Sequence, residues 1–463
     1  MKLNYFNFKK MEDRFLLTND FGKYMCISEM DLKKLLQKQI DTESDIGKEL
    51  IANKMIYTDS ELDFTSQNRY LLREYKQYMN VSTSLHIFVV TTECNMSCVY
   101  CQANNGEKCS DIYMNYEVAE RSVDIALQSP TKYLNFEFQG GEPLLNFDII
   151  KHIVEYAEDK KENHIIEYNI VSNLTLLTDE IIEFLVQYHF GVSTSLDGSK
   201  ILHNINRPFK GGGETYDRVL QAAERLRKNN VHVGAIQTTS NYSFEYSKEI
   251  VDTYKSMGFD SIFIRPLTPL GKATKGWNTI GYDPEQFVDF YKDIFKRILQ
   301  INREGYYMKE IHASLLLSKI FGEAVNYMDL RSPCGAGIGQ LAYYSDGQVF
   351  TCDEGRMLYE MGDDTFCLGN VYDNSYNDLV SNGICRTVCA ASVVESIPTC
   401  TDCVYQPYCG TCPVVNYALE KDVIEKSPRG YRCRIYSGIL DCIFGVLLGE
   451  DLDDINILKN WTK

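Results

Sequence analysis

The sequence predicts an α/β protein built around a partial (β/α)6, TIM-like barrel. Six short apolar segments have the pattern of strands, and a helical segment follows each of them. Six units fall short of the eight that close a full barrel, and right-handed crossovers between them give a parallel sheet. The predicted strands are residues 85–90, 133–139, 165–172, 191–196, 231–239 and 261–267.

Segments of different character flank the predicted barrel, so we expect three units: residues 1–80, 81–325 and 326–463. In the first unit, two apolar runs surround a turn at residues 19–22, and Ser28 with Asp31 resembles the start of a helix. This pattern suggests a winged-helix-like module. After about residue 330 the alternation of strands and helices is replaced by cysteines, glycines and turns. Such a composition is typical of a region whose fold is stabilised by bound metal.

Composition excludes several classes of function. The net charge of −17 argues against broad nucleic-acid binding, which needs Lys and Arg to neutralise phosphates. Because no apolar run is long enough to cross a membrane and the start lacks a signal-peptide core, we expect a cytoplasmic protein without a membrane partner. Sixteen cysteines in a reducing compartment indicate metal ligation rather than disulfides.

The most informative motif is the cysteine triad Cys94, Cys98 and Cys101, spaced C-x3-C-x2-C with Tyr100 before the last cysteine. Three thiolates can hold three irons of a [4Fe–4S] cluster and leave the fourth iron open. The alternative is a zinc knuckle, although zinc sites prefer paired C-x2–4-C spacings and four ligands. The triad follows the first strand, at the sheet edge where open α/β folds bind ligands.

The run TTECNMSCVYCQ resembles the signature of radical S-adenosylmethionine (SAM) enzymes. That resemblance implies a [4Fe–4S] cluster, SAM and a 5′-deoxyadenosyl radical. The run GGEP after the second strand resembles the superfamily's motif for the methionine amino group, although alone it could be a turn. It places four residues in the SAM pocket: Gly140, Gly141, Glu142 and Pro143.

The segments after the third and fourth strands also resemble this superfamily. By that resemblance Ser172 and Arg207 help to hold the SAM carboxylate, Ser195 lies near the ribose, and Tyr100 belongs to the same pocket. Turn hydrogen bonding is the alternative role for each serine, and a solvated charge is the alternative for Arg207. Arginine suits carboxylate recognition because its fork binds with two hydrogen bonds.

The C-terminal cysteines resemble the SPASM domain, with Gly347 placed as in that pattern and one residue fewer before Cys412. The resemblance implies two auxiliary [4Fe–4S] clusters, and hence three in the chain. One would be held by Cys400, Cys403, Cys409 and Cys433, and the other by Cys334, Cys352 and Cys412. Cys389, Cys385 or the substrate would supply the fourth ligand of the latter. A structural zinc ribbon is the alternative, and Cys26, Cys109, Cys367 and Cys442 are expected to be ordinary buried cysteines.

Asp353 directly follows Cys352. In SPASM enzymes that oxidise a side chain, an acidic residue at the matching position acts as the base. A carboxylate beside a cluster suits the loss of a proton and an electron from the substrate. A surface-turn Asp is the alternative, and Glu354 and Arg356 could share the role.

The whole chain resembles His-Xaa-Ser (HxsB-type) radical SAM maturases of ribosomally made peptides. This implies a short precursor peptide whose leader adds as a strand to residues 1–80, and a flavodoxin- or ferredoxin-like electron donor. We expect an intrapeptide crosslink, C–C or thioether, although an epimerised product would begin with the same hydrogen abstraction. The alternatives are a sulfatase-maturase-like side-chain oxidase and an iron–sulfur sensor with a DNA-binding winged helix. Residues 1–80 hold 13 basic and 13 acidic residues and so lack the basic face of a DNA-binding module.

Overall fold

The computed structural model describes residues 1–57, 64–103, 113–323, 325–426, 428, 430–449 and 451–463. The strands are β1 (Lys2–Leu3), β2 (Asn7–Met11), β3 (Arg14–Thr18), β4 (Tyr24–Ser28), β5 (Ile56–Tyr57), β6 (Leu85–Thr91), β7 (Tyr133–Gly140), β8 (Ile165–Val171), β9 (Gly191–Ser195), β10 (Val233–Thr238), β11 (Ser261–Arg265), β12 (Lys309–Glu310), β13 (Gln340–Tyr343), β14 (Gln348–Phe350) and β15 (Cys367–Asn370).

The α-helices are α1 (Glu29–Leu36), α2 (Asp45–Ala52), α3 (Phe64–Tyr75), α4 (Tyr116–Ala126), α5 (Phe147–Lys160), α6 (Asp179–Gln187), α7 (Lys200–Asn206), α8 (Tyr216–Lys228), α9 (Ser247–Ser256), α10 (Lys272–Ile280), α11 (Pro284–Arg303), α12 (Ile311–Ile320), α13 (Asp353–Tyr359), α14 (Tyr376–Val380), α15 (Gly383–Ala391), α16 (Pro413–Glu420), α17 (Tyr431–Leu447) and α18 (Leu452–Asn460).

A mostly parallel sheet forms the centre of the fold and confirms the predicted α/β class. Its order is β12-β11-β10-β9-β8-β7-β6-β13-β14-β15. All six predicted strands are present as β6 to β11, and each pairs in parallel with the next one along the chain. Because the order advances in one direction without reversal, these units build a barrel-like wall rather than a doubly wound sheet.

Strand β7 shows how the sheet separates its core from its cavity. Phe136 and Phe138 are fully buried and pack with helices α4 and α5. The alternate residues Asn135, Glu137 and Gln139 line a cavity on the opposite face. Successive side chains of a strand point to opposite faces, so one strand both anchors the helical layer and presents polar groups to the cavity.

The central sheet continues past the predicted boundary at residues 325/326. Strand β13 pairs in parallel with β6, and β14 and β15 extend the sheet with antiparallel pairs. A hydrogen bond of 2.9 Å joins His86 Nδ1 on β6 to Tyr343 Oη on β13. The cysteine-rich segment is therefore attached to the first barrel strand by sheet pairing.

The N-terminal residues form a three-stranded antiparallel sheet, β2-β3-β4, followed by α1 and α2. The predicted hairpin is present as β3 and β4. Ser28 begins α1 as predicted, because its Oγ accepts the Asp31 N–H at 3.1 Å and donates to the Asp31 carboxylate at 2.7 Å.

This small sheet packs directly on the cysteine-rich segment at residues 401–408. The Thr18 hydroxyl donates to the Val404 carbonyl at 2.6 Å and is fully buried. The Asn7 side-chain amide donates to the carbonyls of Thr401 and Cys403 at 3.0 and 3.1 Å. Main-chain carbonyls beside the cysteines are thus held by side chains from the opposite end of the chain.

Candidate active site and cysteine groups

A cavity of about 640 Å³ runs along the polar face of β7 to the loops that follow the parallel strands. Sequence-predicted residues from six separate segments line it: Cys94, Cys98, Tyr100, Cys101, Gly140, Gly141, Ser172, Ser195, Arg207 and Asp353. Glu142 and Pro143 are not among the lining residues. The fold therefore places most of the predicted SAM-pocket residues and the predicted base around one space.

The loop that carries the cysteine triad is fixed by main-chain hydrogen bonds to two neighbouring segments. The Val99 N–H donates to Asn206 O at 2.9 Å, and Lys272 N–H donates to Cys101 O at 2.8 Å. Burial raises the pKa of Cys94 to about 12 and that of Cys98 to about 11, so free thiols would stay protonated there. Thiolates in such surroundings need a compensating cation, which iron supplies. The three thiols therefore supply the ligand chemistry that the predicted cluster requires.

The two glycines of the GGEP run allow a close approach to this loop. A Cβ atom on Gly140 would lie 2.0 Å from the Thr91 carbonyl oxygen, and one on Gly141 would lie 2.3 Å from the Glu93 carbonyl oxygen. Gly140 also has a φ of +148°, which side chains disfavour. Any larger residue would displace the turn from the loop that begins at Cys94.

Glu142 lies behind the cavity wall and is fully buried. Its carboxylate accepts hydrogen bonds from the Ser172 hydroxyl at 2.7 Å and the Asn173 N–H at 2.8 Å. Burial raises the pKa of Glu142 to about 7 despite these donors. Ser172 Oγ also accepts the Leu174 N–H at 2.9 Å, so this serine makes the turn hydrogen bonds that were the alternative to SAM binding.

Arg207 is buried beside Asp197, a residue that sequence reasoning did not single out. The Arg207 Nε lies 3.1 Å from the Asp197 carboxylate, and Tyr100 donates a hydrogen bond to the same carboxylate. The Arg207 guanidinium lies over the Tyr100 ring, 5.1 Å from its centroid. Arg207 is therefore not a solvated surface charge. The S-L-D-G run could have identified Asp197 from the sequence, because it places this carboxylate just after the end of a predicted strand.

Asp353 begins helix α13, whose N-cap residue is Cys352. Its carboxylate lines the large cavity and accepts a hydrogen bond of 2.7 Å from the Arg356 Nε, which is buried. Glu354 lines the same cavity, and burial, followed by the charges of Asp329 and Asp353, raises the pKa of Glu354 to about 7. The carboxyl groups of Asp353 and Glu354 thus face the same large cavity from different surroundings.

Three of the C-terminal cysteines share one apolar cluster, and we call them the buried cysteine group: Cys334, Cys352 and Cys412. Each is at most 2% exposed, and burial raises the pKa of all three thiols. Cys389, the predicted fourth ligand, is half-buried. Its electrostatic neighbours are Arg331 and Cys385, neither of which belongs to the buried cysteine group. The Cys385 thiol donates to the Leu379 carbonyl at 3.4 Å.

Four further cysteines line a second, small cavity of about 40 Å³, and we call them the cavity cysteine group: Cys400, Cys403, Cys409 and Cys433. They are the four residues that the sequence assigns to one auxiliary cluster. Burial raises the pKa of Cys409 to about 12.

Within the described part of the chain, no group of three or more His, Cys, Asp or Glu side chains is arranged to hold a metal ion. Ligation of clusters by the cysteines therefore stays a prediction. Cys26, Cys367 and Cys442 are half-buried rather than fully buried, and Cys109 lies outside the described residues. No helix in the described ranges is long and apolar enough to span a membrane.

Residues 88–242 match the model of the radical SAM superfamily. An uncharacterized protein of Methanocaldococcus jannaschii is 33% identical over 186 residues, which are 40% of this chain and 63% of that protein. The chain thus spans less than two thirds of that relative. The cysteine-type anaerobic sulfatase-maturating enzyme of Clostridium perfringens is 28% identical over 308 residues, which are 64% of this chain and 79% of that enzyme.

Two solved structures share the fold. Native anSMEcpe with bound AdoMet has a TM-score of 0.68 at 23% identity and covers 82% of this chain and 99% of its own. Streptococcus suis SuiB bound to the precursor peptide SuiA has a TM-score of 0.54 at 16% identity and covers 93% and 98%.

The chain carries a radical SAM domain at residues 88–242, which is the domain of enzymes of the radical SAM oxidoreductase kind. Such a domain implies SAM and one [4Fe–4S] cluster. Of the relatives compared, the sulfatase-maturating enzymes match better than SuiB.

Proposed function

We propose that the protein is a peptide maturase that uses SAM to oxidise a side chain of its substrate. The observation that carries this proposal is the single cavity lined by the cysteine triad, the predicted SAM-pocket residues and Asp353. A peptide substrate is supported by two relatives, because anSMEcpe was solved with the Kp18Cys peptide and SuiB with its precursor SuiA.

In this proposal Cys94, Cys98 and Cys101 hold the radical-generating cluster, and SAM occupies the adjoining part of the cavity. When bound, SAM and the clusters supply the hydrogen-abstracting radical and accept the electron that the substrate releases. Arg207 and Ser195 present a cation and a hydroxyl to the same space. Gly140 and Gly141 keep the wall close to the cysteine loop, and Glu142 with Pro143 shapes the turn from behind.

Asp353 is the proposed proton acceptor. It faces the cavity, and Arg356 is placed to hold its carboxylate in one orientation through the 2.7 Å hydrogen bond. Its position directly after Cys352 supports a role beside an auxiliary cluster. Glu354 lines the same wall and is the second candidate for this role.

The two C-terminal cysteine groups are proposed to hold auxiliary clusters, giving three [4Fe–4S] clusters in the chain. For the cavity cysteine group, the support is four thiols around one cavity. For the buried cysteine group, it is three thiols packed in one apolar cluster. The fourth ligand of that cluster is proposed to be Cys389, with Cys385 or a substrate group as the alternatives.

The N-terminal sheet is proposed to bind the leader of a short precursor peptide, as in the His-Xaa-Ser systems that the sequence resembles. The order β2-β3-β4 leaves the outer edge of β4 without a neighbouring strand among the described residues. An extended leader can add a strand to such an edge through main-chain hydrogen bonds. A flavodoxin- or ferredoxin-like protein is the proposed electron donor, and the cytoplasm is the proposed compartment.

The proposed product is an intrapeptide crosslink. Abstraction removes one hydrogen atom, and ring closure releases a second hydrogen as a proton and an electron. A second candidate is side-chain oxidation of the sulfatase-maturating type, which the higher identity and TM-score of those relatives favour over crosslinking. Because both outcomes remove two hydrogens in the first oxidation, the product must be tested for a ring and for an aldehyde separately.

The test is an anaerobic reaction of the reconstituted enzyme with SAM, a low-potential reductant and either a short precursor encoded next to its gene or a cysteine-containing sulfatase peptide. Formation of 5′-deoxyadenosine without peptide would support the radical SAM reaction. A precursor that loses two hydrogens, resists fragmentation between two residues and does not react with hydroxylamine is crosslinked. A hydroxylamine adduct on either peptide would instead establish the oxidase, and an unchanged mass with inverted stereochemistry would exclude both.

A further inference from the structure

Arg432 lies between the two C-terminal cysteine groups. It is near the start of α17 and directly precedes Cys433, and only 14% of its side chain is exposed. The side chain lines the small cavity together with the cavity cysteine group. Its charge also acts on Cys334 and Cys412, which belong to the buried cysteine group. Arg432 therefore lines the cavity of one predicted auxiliary site, and its charge also acts on thiols of the other.

The hydrogen-bonding capacity of Arg432 is only partly used. Its Nη2 donates to the Asp329 carbonyl at 3.1 Å, and the guanidinium carbon lies 4.4 Å from the centroid of the Tyr436 ring. Its Nε is buried and has no hydrogen-bond partner among the described residues. Because a buried N–H without an acceptor is destabilising, this atom indicates a missing acceptor close to Arg432.

We propose that Arg432 raises the reduction potential of the cluster held by the cavity cysteine group, through its charge and its unpartnered Nε–H. This inference rests on the proposed function, which assigns a cluster to those four cysteines. Reduction adds one negative charge to a thiolate-ligated cluster. A neighbouring cation and an N–H directed at sulfur both stabilise the reduced form more than the oxidised form.

Other buried charged residues also distinguish the cavity cysteine group from the buried cysteine group. Lys319 donates to the Tyr408 carbonyl at 2.7 Å, and its charge acts on Cys409 of the cavity group. Glu425 also lines the small cavity and partly offsets the positive charge of Arg432 there. The charges of Glu354 and Asp329 act on the buried cysteine group.

These charges imply an order of potentials. At the buried group, which adjoins Asp353, the acidic Glu354 and Asp329 are balanced by Arg331 and Arg432. At the cavity group, the two cations Arg432 and Lys319 exceed the one acidic residue, Glu425. We therefore expect the cluster of the cavity group to have the higher potential, so that an electron gained beside the active site moves outward to it.

The experiment is a potentiometric titration followed by electron paramagnetic resonance, on full-length protein that retains about twelve irons per chain. Arg432→Gln removes the charge, and it should lower the potential of one auxiliary cluster by about 59 mV or more, which is a tenfold change in a one-electron equilibrium, and that of the other auxiliary cluster by less. The matched control is Arg434→Gln, two residues away, because Arg434 is exposed and paired with Glu285. The control should leave all three potentials unchanged.

An unchanged set of potentials in iron-replete Arg432→Gln would overturn the inference while leaving the clusters in place. Wild-type protein with only about four irons would overturn the cluster assignment itself, and with it the proposed auxiliary sites. If Arg432→Gln fails to retain iron, Arg432→Lys decides the question. It keeps the charge and lacks Nε, so a smaller decrease in the same potential is expected, and equality with the wild type would contradict the role of Nε.

Discussion

Arg207 and Asp197 form an ion pair whose Nε–Oδ2 distance is 3.1 Å and whose side chains are 10% and 0% exposed. Burial disfavours the charged guanidinium, but the charges of Asp197, Tyr100 and Cys98 together outweigh it, and the pKa of Arg207 is raised above its ordinary value. Tyr100 also donates to Asp197. Because Tyr100 belongs to the cysteine-triad loop, this pair joins the loop to the end of β9.

Asp197→Asn should strongly reduce formation of 5′-deoxyadenosine and destabilise the protein. The substitution leaves a buried guanidinium without its counter-ion, which typically costs about 3–5 kcal/mol. The measurements are the rate of SAM cleavage and the midpoint of chemical unfolding. The control is Asp179→Asn, which removes an exposed partner of Arg225 and should change stability by at most about 1 kcal/mol. Equal effects of the two substitutions would contradict the special role of Asp197.

Combined replacement of Cys94, Cys98 and Cys101 by Ala should abolish SAM cleavage and remove about four irons per chain. The physical reason is that the C-terminal cysteine groups are formed by other segments of the chain and do not depend on these thiols. Iron analysis and electron paramagnetic resonance are the measurements, with Cys26→Ala as the control. Retained formation of 5′-deoxyadenosine by the triple variant would refute the assignment of the triad.

Asp353→Asn should retain SAM cleavage and lose most of the two-hydrogen product. An amide cannot take the proton that the substrate releases, whereas it still fits the space beside Arg356. Mass spectrometry of the peptide and chromatography of 5′-deoxyadenosine provide the two readings. Asp364→Asn, on an exposed turn after the same helix, is the control and should react like the wild type. Full product formation by Asp353→Asn would transfer the role to Glu354.

His86 makes the stability of the fold sensitive to acid. Burial lowers its pKa to about 3, whereas an unfolded histidine titrates near about pH 6.5. Below about pH 6.5 the unfolded chain therefore takes up a proton that the folded chain does not. The free energy of unfolding should fall as the pH decreases, by up to about 1.4 kcal/mol per unit for this residue.

His86→Phe should make that decrease shallower, as measured by anaerobic urea unfolding between about pH 7.5 and about pH 5. Tyr343→Phe removes the hydrogen-bond partner of His86 but keeps the imidazole, so it should retain the slope of the wild type. Identical slopes for His86→Phe and the wild type would show that other groups cause the acid sensitivity.

Binding of the precursor should slow hydrogen exchange in β4, whose outer edge the leader is proposed to occupy. The opposite edge strand, β2, provides an internal control because Asn7 on that strand already contacts residues 401 and 403. Exchange measured with and without precursor should show protection at residues 24–28 and none at residues 7–11. Protection confined to β2, or absent from both strands, would contradict leader binding by this sheet.

The sequence predicted the six-strand wall well because each strand combines apolar content with a following amphipathic helix. It did not predict β13, whose four residues carry no periodic signal of their own. That strand forms by pairing with β6, which lies more than two hundred residues earlier in the chain. Pairing over such a distance depends on the assembled sheet rather than on local pattern.

Residues of the candidate site could be predicted where they lie close together in a short motif, as in the cysteine triad and the glycines of GGEP. Two residues show the limit of that approach. Asp197 becomes informative only when the loop of Tyr100 folds against it, and a single arginine such as Arg432 resembles any helical surface charge in sequence. Their burial is a property of packing between distant segments.

The side chains of Thr18 and Asn7 that hold the carbonyls at residues 401–404 have a practical consequence for engineering. A simple chimera would exchange residues 1–80 for the corresponding segment of a related enzyme. Here such an exchange would also remove the scaffold of the loop that contains Cys403. A workable chimera therefore has to transfer the N-terminal sheet and residues 401–408 together, as one recombination unit whose two parts come from opposite ends of the chain.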